Sequence, residues 1–290
     1  MSAGRGRVLL FGGSGQVGAA VLARLLDAGW EVDALSRSGR APAPGLRWLP
    51  GGFDAMPLLA SGYDVILSCG PLDRFARWYA AGKFASPRVI AFGSTSLAVK
   101  RASIDAAERD LATRLAVAED ALFAAAAARD GDAIVLRPTL VYGAGRDQTL
   151  SRIAAMAGRH GLFVLPRGAT GLRQPVHVDD LAATAMAALD ARGAGGRGYD
   201  LPGGETLAYR DMVARVLAAL RPPARLVELP APLFAVLAAA LRAGGRLQGF
   251  GGQAQARLRE DLVFDIAPAA AALDHAPRPF RPDAAMLGVE

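Results

Sequence analysis

Residues 9–26 read "LLFGGSGQVGAAVLARLL", and the glycines at 12, 15 and 18 narrow the choice of fold more than any other feature of the chain. An apolar strand, Arg7 to Phe11, stops where they begin. A helix over Val17 to Ala28 follows, with Val17, Val21, Leu22, Leu25 and Leu26 on one stripe and Gly29 closing it in the C′ position. Between a strand and a helix, such spacing suits a phosphate. Gly12 permits the sharp turn, Gly15 lets backbone N–H groups approach a pyrophosphate, and Gly18 lets the helix pack on the strand. The helix N-terminus adds partial positive charge. Gly12, Gly13, Ser14, Gly15, Gln16, Val17 and Gly18 are therefore expected to bind a dinucleotide, against the alternative of a purely structural turn.

The second strand, Glu31 to Ser36, bears on which dinucleotide. A carboxylate at its end would accept the ribose hydroxyls of NAD. Ser36, Arg37 and Ser38 stand there instead, and Asp33 comes too early, inside the strand. An arginine at this place can clamp a 2′-phosphate, so NADP is expected, with NAD as the alternative. Asp54, after a third strand over Leu46 to Leu49, either meets the adenine edge or caps a helix starting at Ala55.

Further strands are expected over Asp64 to Ser68, Pro87 to Phe92, Ala133 to Leu136 and Tyr199 to Leu201. Helices are expected over Leu72 to Lys83 and residues 105–129. Strands alternating with helices predict an α/β fold, a doubly wound parallel sheet with helices on both faces. The alternation fades after Leu201. Residues 1–203 read as the cofactor-binding domain and 204–290 as a small C-terminal α+β annex.

Composition excludes several classes. Hydrophobic residues make up 52% and charged residues 21%, so a packed core is available. The single cysteine, Cys69, rules out a disulfide framework, and no metal site is expected. The net charge of +6 raises the question of nucleic acid, but the arginines are scattered, aromatics are 7%, and lysine occurs only at 83 and 100. No nucleic-acid partner is expected. The longest apolar run, Leu229 to Leu241, is too short for a bilayer and reads as a core-facing helix opened by Pro232. With no signal peptide discerned, a cytoplasmic protein, monomeric or homodimeric and without a membrane partner, is expected.

An ordered set of stretches then resembles a known family, the extended short-chain dehydrogenase/reductases of the NAD(P)-dependent epimerase/dehydratase group. The set comprises the glycine loop, "RVIAFGSTS" (88–96), "LRPTLVYGAGR" (136–146), "RQPVHVDDLAATAMAAL" (173–189), "YDLPGGETLAYRDM" (199–212) and "FDIAPAAAALDHAPRPF" (264–280). The resemblance implies a Rossmann fold with a C-terminal substrate domain and a cleft to which residues 141–175 contribute. Cys69 and Gly70, after the fourth strand, join the expected cofactor contacts.

The family's chemistry is hydride transfer assisted by a tyrosine, with a lysine four residues on that lowers its pKa. The pair should lie on the helix after the fifth strand, and that helix has neither residue. Of the tyrosines at 63, 79, 142, 199 and 209, only Tyr79 has a lysine four on, Lys83. That pair precedes the fifth strand and reads as structural. Asp110 and Arg114 fall near the missing pair and read as a surface ion pair or, alternatively, a carboxylate base. Thr95, then Ser94, are the expected hydroxyls facing the substrate oxygen, and Tyr142 is the expected phenol. Ser96, Lys100, Arg173 and His177 are expected substrate contacts. Gln174 joins Arg173 as a candidate for an anionic substrate, and Asp179 or Asp180 should cap the next helix. The expected function is an NADP(H)-binding epimerase/dehydratase-like oxidoreductase acting on a small-molecule substrate through a non-standard proton donor. The alternative is a catalytically silent NAD(P)-binding protein.

Overall fold

The computed structural model describes residues 5–60, 62–82, 84–243 and 257–289. In chain order, β1 (Arg7–Phe11) leads into α1 (Gln16–Asp27), β2 (Glu31–Ser36), β3 (Leu46–Pro50), β4 (Val65–Ser68) and α2 (Leu72–Ala81). Next come β5 (Arg88–Phe92), the one-turn α3 (Ser96–Val99), α4 (Ala106–Ala127), β6 (Asp132–Pro138), β7 (Val141–Tyr142), α5 (Leu150–His160) and β8 (Leu162–Pro166). They are followed by β9 (Leu172–Arg173), β10 (Val176–His177), α6 (Val178–Asp190), β11 (Arg197–Leu201), β12 (Leu207–Ala208) and α7 (Tyr209–Ala218). The last elements are β13 (Arg225–Leu229), α8 (Ala231–Ala243) and α9 (Ala267–Leu273).

The chain divides into two compact units, each built from separate segments. The first takes residues 1–139, 178–201 and 265–277, and the second takes 140–177, 202–264 and 278–290. This differs from a single cut after residue 203. Residues 140–177 count with the second unit, and α9 returns to the first, where it lies against β11.

In the first unit, a seven-stranded sheet runs in the order β11-β6-β5-β4-β1-β2-β3, with every neighbouring pair parallel. Its central strands are continuous apolar runs because helices cover both faces. Leu9, Ile66, Ile90 and Val135 are fully buried. α4 is Ala-rich, favouring helix on propensity alone, and Asp105 caps it by accepting a bond from the Ala107 N–H at 2.8 Å. Its inward stripe is Ala112, Leu115, Ala118, Glu119, Leu122 and Ala126.

No helix begins at Ala55, so Asp54 is not a helix cap. Residues 52–55 close on themselves instead, with Ala55 N–H donating to the Gly52 carbonyl at 3.2 Å. Pro57 disfavours helical geometry at Met56 and stops a helix there. α2 ends at Ala81 because Gly82 is extended, with φ −82° and ψ 172°. Tyr79 on this helix is fully buried, and the Arg129 guanidinium lies over its ring at 4.8 Å. Its expected neighbour Lys83 lies outside the described residues.

Asp33 explains why the edge of the sheet holds. Its carboxylate accepts from Arg47 at 2.8 and 2.7 Å, from Arg7 at 2.8 Å and from the Tyr63 hydroxyl at 2.7 Å. Burial alone would raise its pKa, but the hydrogen bonds of Arg47 and Tyr63 and the charges of Arg7 and Arg47 outweigh it and hold the carboxyl low. Burial, followed by the bond to Asp33, pushes the Tyr63 phenol up to about 12. A depressed carboxyl adds stability above its unfolded pKa of about 4, and that stability is lost as pH falls through the folded value. Asp33→Asn is therefore expected to cost about 2 kcal/mol at neutral pH, less than the roughly 3–5 kcal/mol of a fully buried pair because Arg47 is half exposed. The gap to wild type in urea melts should be constant above pH 5 and close below about pH 4.

The second unit is held by the two-stranded pairs β10-β7, β12-β9 and β13-β8 and by a core of Tyr142, Leu150, Ile153, Met212, Val216 and Phe280. Asp147 anchors the start of α5, accepting from the backbone of Thr149 at 3.0 Å and from the Ser151 hydroxyl at 2.5 Å. α8 occupies the long apolar run. It buries Phe234 and Ala238 and exposes Leu233 and Val236.

Candidate functional site

The carboxyl ends of β1, β2, β4 and β5 lie along one rim of the first unit, and the sequence-predicted cofactor residues are on the loops that leave them. Gly12 has φ +72°, and a Cβ there would come within 2.9 Å of the Cys69 and Gly70 backbone. Gly15 N–H donates to the Gly12 carbonyl at 2.9 Å, which closes the turn. At Gly18 a Cβ would lie 2.0 Å from the same carbonyl oxygen, so only glycine lets α1 approach β1 this closely. The first N–H groups of α1, at Gln16, Val17 and Gly18, have no acceptor within the helix. The Gln16 side-chain oxygen is buried with no hydrogen-bond partner among the described residues. Open backbone donors and a cradle that a side chain would fill together fit a pyrophosphate.

On the β2 rim, Ser36 is buried, and its hydroxyl donates to the Ser38 carbonyl at 2.7 Å. Arg37 and Ser38 are exposed. Asp33 is held inside the sheet edge and does not reach the rim. Asp54 is exposed and pairs with Arg74 at 3.0 Å. Cys69 N–H donates to the Phe11 carbonyl at 2.9 Å, and burial pushes its thiol well above the ordinary range. Gly70 faces the Phe53 ring, which stacks on Phe11 with centroids 5.1 Å apart.

The hydroxyls after β5 differ in what they have left to offer. Thr95 is buried, and its Oγ1 donates to the Pro138 carbonyl at 3.2 Å. The Ser94 Oγ accepts from Ser96 N–H at 3.1 Å, a bond that leaves its own hydrogen to donate. Of the two, Ser94 is the one whose hydroxyl hydrogen these bonds leave uncommitted. Ser96 starts α3, and Lys100 pairs with Glu108 at 3.6 Å, a contact that anchors the loop.

A cavity of about 240 Å³ opens beside these residues, lined by Gly70, Leu72, Asp73, Phe92, Gly93 and Arg114. Arg114 pairs with Asp110 at 2.9 Å and Asp73 at 3.2 Å, so the Asp110–Arg114 pair is an ion pair on the helix surface. Behind the cavity floor, Glu119 on α4 binds Arg137 of β6, and Arg137 reaches Asp200 of β11 at 3.7 Å. The sequence reading missed this cluster. A signal was present, since Glu119 falls on the apolar stripe between Leu115 and Leu122.

Several expected residues are structural members of the second unit. Tyr142 is only 1% exposed, packed edge-on against His177 and Phe280 with centroids at 5.1 and 4.9 Å. It is a core phenol and not an open one. His177 is buried, and its ring occupies the space a Cβ on Gly143 would need. Arg173 is also buried. It donates to the carbonyls of Leu172 and Glu260, each at 2.7 Å, and of Arg257 at 2.5 Å. Burial lowers its pKa. Gln174 accepts from Phe264 N–H at 2.8 Å. In the first unit, Asp179 and Asp180 fall in the first turn of α6, where the helix end favours carboxylates.

Comparison with known proteins agrees with this architecture. Residues 106–201 match the NAD dependent epimerase/dehydratase family, a stretch that begins at α4 and leaves the glycine loop as separate support. No curated protein sequence matches. Among solved structures, MoeE5 in complex with UDP-glucuronic acid and NAD is 18% identical, with 95% of each chain covered and a TM-score of 0.69. UDP-glucuronic acid 4-epimerase from Bacillus cereus in complex with NAD is 15% identical, covering 98% of this chain and 97% of that one, with a TM-score of 0.69. UDP-glucose 4-epimerase from Thermotoga maritima with UDP-glucose is 13% identical, covering 98% and 96%, with a TM-score of 0.66. Residues 106–201 are thus similar in sequence to the NAD dependent epimerase/dehydratase family, and the chain shares its fold along nearly its whole length with these solved structures.

Proposed function

We propose that the protein is an NADP(H)-dependent oxidoreductase of epimerase/dehydratase type, acting on a small organic substrate without the usual tyrosine–lysine pair. The observation that supports this best is the β2 rim. The only acid in β2 near that rim, Asp33, is tied down by Arg7, Arg47 and Tyr63, and Arg37 stands exposed between Ser36 and Ser38. Such a rim offers a guanidinium to a 2′-phosphate and no carboxylate to a ribose hydroxyl.

Gly12 to Gly18 would hold the pyrophosphate, Ser36 to Ser38 the adenosine end, and Cys69 and Gly70 the middle of the cofactor. The bound nicotinamide supplies hydride chemistry. The protein's part is to orient the substrate and manage its proton. Ser94 is the hydroxyl we assign to the substrate oxygen, and Thr95, tied to Pro138, holds the turn that presents it. α4 carries no tyrosine and no lysine, so on this reading proton movement falls to Ser94 or solvent, and slow turnover follows. The related sugar-nucleotide complexes favour a small-molecule ligand. No described helix is long and apolar enough to cross a membrane.

A second reading, a binding protein that takes NADP(H) without chemistry, is favoured by the surface pair Asp110–Arg114 on the helix expected to carry the catalytic residues. Turnover separates the two. The enzyme should bind NADPH, enhancing nicotinamide fluorescence, and oxidise it with at least one member of a carbonyl panel. Ser94→Ala should lower that turnover on the order of a hundredfold with NADPH binding unchanged. Binding with no oxidation across the panel would favour the second reading.

A further inference from the structure

We infer that Arg40 is the second guanidinium of an anion clamp, facing the 2′-phosphate of NADP together with Arg37, and that the Trp48 ring is the platform that holds it. The inference rests on the NADP reading above and adds a specificity residue to it.

Arg40 is exposed, and its guanidinium carbon sits 5.2 Å from the centroid of the Trp48 ring. Trp48 pairs with Ala34 in the β2–β3 register, and its ring comes within 3.6 Å of where a Gly13 Cβ would be. The platform therefore borders the glycine loop. Arg37 leaves the β2 rim with its Cγ 3.5 Å from the position of a Gly52 Cβ, beside the end of β3. The bond from Ser36 Oγ to the Ser38 carbonyl closes a turn around Arg37, three residues before Arg40. Both cations thus flank one corner of the rim, next to the N-terminus of α1.

Charge separates these arginines from their neighbours. Arg7 and Arg47, on β1 and β3, point into Asp33. Among the described residues, neither Arg37 nor Arg40 forms an ion pair. A guanidinium held over an indole ring loses little hydration and keeps N–H groups free to grip a phosphate. Two unneutralised cations beside a helix N-terminus repel each other until an anion enters, so a phosphate dianion gains more there than a hydroxyl does.

Trp48 makes the inference readable without turnover. Adenosine 2′,5′-bisphosphate and AMP differ only in the 2′-phosphate. The bisphosphate should change tryptophan emission and AMP should not, and Trp48→Phe should abolish the change, since Trp30 and Trp78 lie elsewhere. Arg40→Ala should weaken NADPH and the bisphosphate roughly tenfold and leave NADH unchanged, a loss in line with one charge-assisted contact. Arg37→Ala serves as the comparison. If Arg37→Ala loses NADPH affinity and Arg40→Ala does not, the clamp is overturned and the NADP reading stands. If the wild type binds NADH as tightly as NADPH, the NADP reading fails and the clamp falls with it.

Discussion

Gly18→Ala should abolish NADPH binding, measured as a loss of at least roughly a hundredfold in affinity, and should lower stability by about 2–3 kcal/mol. The added methyl would lie 2.0 Å from the Gly12 carbonyl oxygen, 2.8 Å from its carbon and 3.0 Å from Gly13 Cα. All three are backbone atoms, so no rotamer change relieves the overlap. α1 must move off β1, and the N–H groups proposed to meet the pyrophosphate move with it. Gly158→Ala is the matched control. It lies within α5, a Cβ there meets nothing within 4 Å, and the change should be neutral or stabilise by up to about 1 kcal/mol. Equal losses from both variants in fluorescence titration would remove the special role given to Gly18.

Arg137→Met should destabilise the first unit by about 3–5 kcal/mol, lowering the thermal midpoint by roughly 10 °C. Glu119 is 3% exposed and would be left as a buried carboxylate without its cation. Its bond with Arg137 is the strongest influence raising the Arg137 pKa, while Asp200, raised by burial, leans on the same guanidinium. The double change Glu119→Leu with Arg137→Met removes both charges and should recover most of the loss, because a well-packed apolar pair often replaces a buried ion pair at no net cost. A double variant no better than the single would show that the residues act independently. The pair also fastens α4 to the end of β6, next to the Pro138 carbonyl that receives Thr95.

Much of the first unit could be read from local pattern. β1, the glycine turn and α1 are contiguous, and β1, β4 and β5 are apolar runs flanked by glycine, proline or a charged residue. The missing tyrosine and lysine on α4 were equally plain. What escaped the reading depends on pairings distant in sequence. Nothing near Thr95 says that its hydroxyl is taken by Pro138, 43 residues later. Arg173 reads in sequence as a contact for an anionic substrate, yet two of its acceptors lie 84 and 87 residues further on. Tyr142 looked available because β7 is too short to show a burial pattern. The helix imagined after Asp54 failed for a local reason, Pro57, that could have been weighed.

The interleaving of the two units has a consequence for how the protein is made. A ribosome releases β1 to β6 first, but β11, the strand that covers the open flank of β6, follows only after residues 140–177 of the other unit and all of α6. Until Arg197–Leu201 emerge, β6 is an unpaired parallel edge, and Arg137 waits for Asp200. The second unit waits in turn for residues 278–290. Neither unit can be finished during synthesis before much of the other has appeared. Slow, long-range assembly of this kind exposes strand edges to other chains, so yield in a heterologous host should depend on translation speed and chaperone supply.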